Sequence, residues 1–158
     1  MLFLSLSLFA AGIVAVEQLT KYLVVANIPL HGDVPFLPGI LQLTYAQNTG
    51  GAWSMFEGKL WLFVGVFVVL TAMILFEYFK KPMGFSKFER WCIAAIYGGG
   101  LGNMVDRLRL GFVVDMLETE FIDFPIFNVA DCFITCGCIA LMVSLFFFNK
   151  QFWKEEKK

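Results

Sequence analysis

Phe127-Asn128-Val129-Ala130-Asp131 opens an apolar run, Cys132 to Asn149, that contains no charged residue. A membrane-spanning helix needs about 20 mostly apolar residues. A carboxylate inside one costs about 2.5–3.5 kcal/mol at the helix centre on insertion scales, so Asp131 is a functional-site candidate by position alone. A second acid, Asp115, ends Gly111-Phe112-Val113-Val114-Asp115, sixteen residues earlier. Whether the fold brings the two together is the central question.

The rest of the chain reads in the same way. Of its 158 residues 59% are apolar, with 19 Phe, against about 45–50% apolar in ordinary soluble domains. A chain this short has too little interior to hide so much apolar surface from water. Four spans are expected, at about residues 2–25, 60–79, 91–107 and 125–148, within a single membrane domain, residues 1–158. The third is short and interrupted by Gly98-Gly99-Gly100 and Gly102. The first could instead be a cleaved signal peptide, but no Lys or Arg precedes it as a basic n-region would require. Between spans one and two, Ile40–Tyr45 alternates like a short strand, and Pro29, Pro35, Pro38 and Gly39 punctuate its approach. The expected architecture is an all-α membrane protein of four transmembrane helices, with a small extracytoplasmic β element on the membrane surface.

Lys and Arg set the orientation. Lys80, Lys81, Lys87 and Arg90 follow span two, and Lys150, Lys154, Lys157 and Lys158 follow span four. The two opposite loops hold only Lys59, Arg107 and Arg109. Eight against three puts both termini in the cytoplasm. Glu17, Gln18 and Lys21, then Asn103, Asp106 and Arg107, then Asn128 and Asp131, with Asn48 in the loop, all fall near the outer surface. Counted from Pro125, Asp131 lies about 9 Å along the fourth span. Placing all of these groups against lipid would be costly, so a shared interior is the cheapest arrangement.

Each group has a functional and a plainer reading. Asp115 and Asp131 could share a proton, one staying protonated while the other activates water. Equally, Asp115 could cap a solvated turn while Asp131 pairs with Arg107. Glu17 and Lys21, at i,i+4 in the favourable order, read best as a structural pair with Lys21 snorkelling to the interface. Arg107 could hold substrate carbonyls or anchor its helix at lipid headgroups. Asn128 could orient Asp131 or cap the helix. Asn48-Thr49-Gly50-Gly51 is a turn signal, and the four Gly of span three read as close helix packing.

Other chemistries lack their motifs. His31 is the sole His, no HExxH occurs, and Cys92, Cys132, Cys136 and Cys138 form no CxxC pair. Neither a zinc protease nor a metal site has the required spacing. No basic patch with interleaved aromatics suggests nucleic acid. A small transporter or proton relay is the competing reading, since buried polar groups serve there too.

Five ordered blocks carry a resemblance. Glu17-Gln18-Leu19-Thr20-Lys21, Asn48-Thr49-Gly50-Gly51-Ala52-Trp53-Ser54, Gly99 through Arg107, Gly111 through Asp115 and Phe127 through Asp131 together resemble the lipoprotein signal peptidases, the bacterial type II signal peptidases. Glu17 departs from that pattern, which has Asp there, and Met116 stands where Phe is commoner. The resemblance implies an aspartic endopeptidase of the bacterial cytoplasmic (inner) membrane, monomeric, with its active site at the outer face and no cofactor or metal. It implies cleavage of prolipoproteins just before a diacylglyceryl-modified cysteine, with membrane lipid as the surroundings. Asp115 and Asp131 would be catalytic. Asn48, Arg107 and Asn128 would bind substrate, and Glu17, Lys21, Asn103 and Asp106 would support the site.

Overall fold

The computed structural model describes residues 1–51, 53, 55–79 and 84–149. Lys80, Lys81, Lys150, Lys154, Lys157 and Lys158, which enter the orientation argument, and Ala52 and Ser54 of the second block, lie outside the described residues.

Among the described residues four α-helices and three strands follow one another in the order α1 (Leu2–Asn27), β1 (Asp33–Leu37), β2 (Leu41–Asn48), α2 (Leu60–Phe79), α3 (Lys87–Leu110), β3 (Val113–Thr119) and α4 (Val129–Val143). A π-helical turn, Ser144–Phe148, extends α4. By length and composition α1, α2 and Val129–Phe148 are able to cross a membrane. α2 coincides with its expected span. α3 is 24 residues long, but its glycines and charges leave it outside that apolar class. Large apolar side chains such as Leu8, Tyr22, Trp61, Val66 and Phe147 are exposed along these helices, as they would be if lipid were the solvent.

α3 is the central helix, packed on both α1 and α4. Its small residues explain the closeness. A Cβ at Gly98 would stand 3.0 Å from the Ala10 backbone, and one at Gly99 would stand 2.6 Å from the Ala130 carbonyl. The helix is closed at both ends by its own sequence. Ser86 and Glu89 form a reciprocal capping box, and Gly111, at φ 82°, ends the helix in the left-handed region.

The strand element is larger than the sequence suggests. The alternation at Ile40–Tyr45 belongs to a strand running from Leu41 to Asn48. It is the centre of an antiparallel sheet of order β1-β2-β3. β3 went unforeseen because Val113-Val114-Asp115-Met116 is buried on both faces and has no polar alternation. Val114 and Met116 pack with Val24 and Ile28 at the end of α1, which seats the sheet on the helices.

The start of α4 also differs from expectation. Residues 125–127 are not helical; Phe127 pairs in antiparallel fashion with Leu117, with backbone N–H···O distances of 3.0 and 2.7 Å in the two directions. The helix begins only at Val129. Asp131 therefore sits in the first turn, about 3 Å rather than about 9 Å along the helix.

Candidate active site

The Leu117–Phe127 pairing is what brings the two acids to one place. Asp115 lies two residues before Leu117 and Asp131 four residues after Phe127. Strand alternation turns Val114 and Met116 to the α1 core, and leaves Asp115 to face the opening of α4.

Asp115 is 2% exposed and accepts two side-chain amides. Asn48 Nδ2 donates to its Oδ2 at 2.9 Å, and Asn128 Nδ2 donates to its Oδ1 at 2.6 Å. Asn48 can do this because Ala46 is the β2 residue opposite Asp115, so Asn48 is the diagonal neighbour on the same face. Burial pushes the Asp115 carboxyl up to about 6; the Asn48 amide opposes the shift and the Asp131 charge adds to it.

Asp131 is fixed by the helix it opens. Asn128 accepts from Asp131 N–H at 2.9 Å, and Asp131 Oδ2 accepts from Asn128 N–H at 3.2 Å, a capping box. Its other oxygen accepts from Asn103 Nδ2 at 2.9 Å. Asn128, wholly buried, thus bonds to both acids, and its side chain also donates to Asn103 Oδ1 at 3.0 Å. The orienting and capping readings of Asn128 are the same set of bonds. Both acids open onto a cavity of about 420 Å³ lined also by Asn48, Trp53, Arg107, Phe124 and Thr135.

Lys21 corrects the sequence reading. It does not snorkel: it is 3% exposed. Its ammonium meets Glu17 Oε1 and Asp106 Oδ2, each at 2.8 Å, and donates to Asn103 Oδ1 at 3.0 Å. Three acceptors match its three donors, the condition under which a buried ammonium is tolerable. Asp106 uses its remaining capacity to hold β3, accepting from Val114 N–H at 3.1 Å. Gln18, which the sequence reading left without a role, donates to Asp106 Oδ1 at 2.9 Å.

Arg107 points away from this core, into the cavity. It donates to the Gly50 carbonyl at 2.8 Å and lies 4.3 Å over the Phe63 ring, holding the Asn48–Gly51 turn against α2. No Arg107–Asp131 ion pair occurs among the described residues, so the pairing considered from sequence is not formed. Trp53, at a positive φ of 52°, meets Phe124 edge-on at 5.9 Å and forms part of the cavity wall. Cys132 and Cys136 also line the cavity. Among the described residues no group of three His, Cys, Asp or Glu is arranged to hold a metal ion.

Comparison with known proteins converges on one family. The family described as Signal peptidase (SPase) II matches residues 9–147. A lipoprotein signal peptidase of Streptococcus pyogenes serotype M6 is 40% identical over 144 residues, 91% of this chain and 90% of that protein. One from Enterococcus faecalis is 42% identical over 141 residues, 87% and 85% of the two chains. A bacterial membrane enzyme solved by the in meso method at 2.3 Å superposes with a TM-score of 0.83 at 30% identity, covering 89% of this chain and 87% of its own. A second, at 1.9 Å, gives 0.80 at 32% identity over 91% and 94%. The match over most of the chain and these identities establish that the chain belongs to the signal peptidase II family and is a membrane peptidase.

Proposed function

We propose that the chain removes signal peptides from prolipoproteins, cutting before a diacylglyceryl-modified cysteine, with Asp115 and Asp131 as the catalytic pair. The observation that carries this reading is Asn128, bonded at once to Asp115 and to Asp131, with both acids open to one cavity. Two carboxylates held together do not both ionise readily. The raised pKa of Asp115 favours Asp115 as the acid that holds the shared proton.

In this scheme Asp131 takes a proton from water as the water oxygen attacks the scissile carbonyl. Protonated Asp115 donates a hydrogen bond to that carbonyl and then its proton to the developing oxyanion. As the tetrahedral intermediate collapses, the proton taken by Asp131 passes to the departing amine while a hydroxyl of the diol returns its proton to Asp115, which restores the starting state. Arg107 and Asn48, at the cavity wall, position the substrate backbone. Asn128, having no exposed surface, serves the carboxylates instead of the substrate. Glu17, Lys21, Asn103 and Asp106 support them from behind.

The molecular setting follows from charge and length. The chain is a single domain, residues 1–158, active as a monomer. α3 is the fourth crossing, its inward charges met by partners: Asp106 by Lys21 and the Val114 N–H, Arg107 by the Gly50 carbonyl at the cavity, Glu89 by Ser144 and Arg90 by Glu77, with Lys87 and Arg109 exposed near its two ends. Both termini lie in the cytoplasm, and the sheet rests on the outer face of the bacterial inner membrane with Val34, Phe36 and Leu37 exposed toward lipid headgroups. The transporter alternative loses weight because Glu17, Lys21, Asn103, Asp106 and Asn128 are bonded to the acid pair or to one another.

The deciding experiment uses purified enzyme with a diacylglyceryl-modified prolipoprotein in detergent micelles. Asp115→Asn and Asp131→Asn are each expected to fold and to lose cleavage, and EDTA is expected to leave wild-type activity unchanged. Appreciable cleavage by either folded variant would reject the pair.

A further inference from the structure

Glu17 reaches across the helix interface to the mouth of α4. Its Oε2 accepts the Ala130 N–H at 2.8 Å, one of the first-turn donors that α4 cannot satisfy internally. Ala130 is the residue immediately before Asp131 and is wholly buried. The other Glu17 oxygen, Oε1, meets Lys21 at 2.8 Å. Lys21 in turn donates to Asn103 Oδ1 at 3.0 Å, and Asn103 Nδ2 donates to Asp131 Oδ1 at 2.9 Å. One carboxylate thus acts on Asp131 by two routes: through the backbone of its own first turn, and through the Lys21–Asn103 bonds that fix which end of the Asn103 amide faces Asp131. With Lys21 and Asn128 both donating to Asn103 Oδ1, only the NH2 end is left for Asp131.

The length of Glu17 is matched to its surroundings. Gly102 lies beside it, and a Cβ there would stand 3.2 Å from Glu17 Cγ. Aspartate, shorter by one C–C bond of about 1.5 Å, could not reach Ala130 N–H while keeping Lys21 in place. We infer that Glu17 is a positioning residue for Asp131, its longer side chain setting the place of the first turn of α4 and the charge balance around the acid pair. This rests on the proposed role of Asp131 and adds a residue that never touches substrate.

The charged groups around Asp131 are Glu17 and Lys21 from α1, Asp106 and Arg107 from α3, and Asp115 from β3. Glu17→Gln removes one negative charge and leaves Lys21 less compensated, which favours the ionised acids. The alkaline limb of the kcat profile, where the shared proton is lost, is then expected to move to lower pH by about one unit. Glu17→Asp keeps the charge but loses the reach. It is expected to lower kcat by up to about a hundredfold, the usual cost of a displacement near 1 Å, with KM little changed and the profile in place. Gly102→Ala presses on the Glu17 side chain without altering charge and should lower kcat in the same way. Activities are normalised to folded enzyme by thermal melting. Wild-type kcat per folded molecule in Glu17→Asp and Gly102→Ala, or an unmoved profile in Glu17→Gln, would overturn the inference. Failure of the acid pair itself would appear separately, as cleavage by Asp115→Asn or Asp131→Asn.

Discussion

Asn128 donates its side-chain amide to Asp115 Oδ1 at 2.6 Å, and so ties the residue that caps α4 to a carboxylate on the neighbouring strand. Asn128→Ala removes this bond and the cap together. Loss of a helix cap costs about 1 kcal/mol, or roughly 2–4 °C in Tm for a chain of this size. The activity loss is expected to be much larger than so small a stability loss explains, because the Asp115 carboxylate loses an orienting bond and the first turn that carries Asp131 loses its cap. Thermal melting and kcat measured on the same preparation check this; equal, small losses in both would show that Asn128 is only a cap.

The Asp115 carboxyl is pushed up to about 6 from an ordinary value of 3.8, and this has a signed consequence for stability. A folded-state pKa above the unfolded one means that the folded state binds the proton more tightly. The stabilisation is complete below about pH 4 and is lost as pH rises through about 6. Asp115→Asn abolishes this titration. The stability of the variant relative to wild type should therefore rise between pH 4 and pH 7, by at most about 3 kcal/mol at 1.36 kcal/mol per unit. Melting curves at pH 4, 5, 6 and 7 measure it, and a difference that is flat with pH would contradict the assignment.

The helices and the polar groups that gather at the candidate site were legible in the sequence, because each depends on a local signal. Apolar runs of about 20 residues mark helices whatever they pack against. The acids, amides and Arg107 stood out because lipid makes such groups expensive. What could not be read was pairing at a distance. The Leu117–Phe127 bridge joins two unremarkable apolar residues, yet it places Asp115 beside the first turn of α4. The burial of Lys21 depends on acceptors supplied by Glu17, Asp106 and Asn103. Two of these come from another helix, and snorkelling was the cheaper guess without them.

Arg107 is expected to tolerate Lys poorly. A Lys is a compact point charge without the planar face that lies 4.3 Å over Phe63, and it would not hold the Gly50 carbonyl in the same geometry. Loss of a charge-assisted hydrogen bond costs about 1.5–3 kcal/mol, which is roughly ten- to hundredfold in kcat/KM if it is felt fully at the transition state. Steady-state kinetics on Arg107→Lys test this. Unchanged kcat/KM would mean that the Asn48–Gly51 turn keeps its place without the guanidinium.

The packing of α3 on α4 offers the cleanest separation of helix contact from chemistry. A methyl group at Gly99 would lie 2.6 Å from the Ala130 carbonyl and 2.8 Å from Ile134 Cγ1. Because one of these is backbone, α4 itself must move. Overpacking of this kind costs about 1–3 kcal/mol, and here the displaced backbone is the one that carries Asp131. Gly99→Ala should therefore lose both stability and cleavage. Gly12→Ala is the control, since nothing lies within 4 Å of the added methyl and replacing a mid-helix Gly gains about 0.5–1 kcal/mol. Melting and cleavage assays on the two variants should diverge in both readouts; a Gly99→Ala enzyme as stable and active as Gly12→Ala would show that the first turn of α4 is not fixed by its contact with α3.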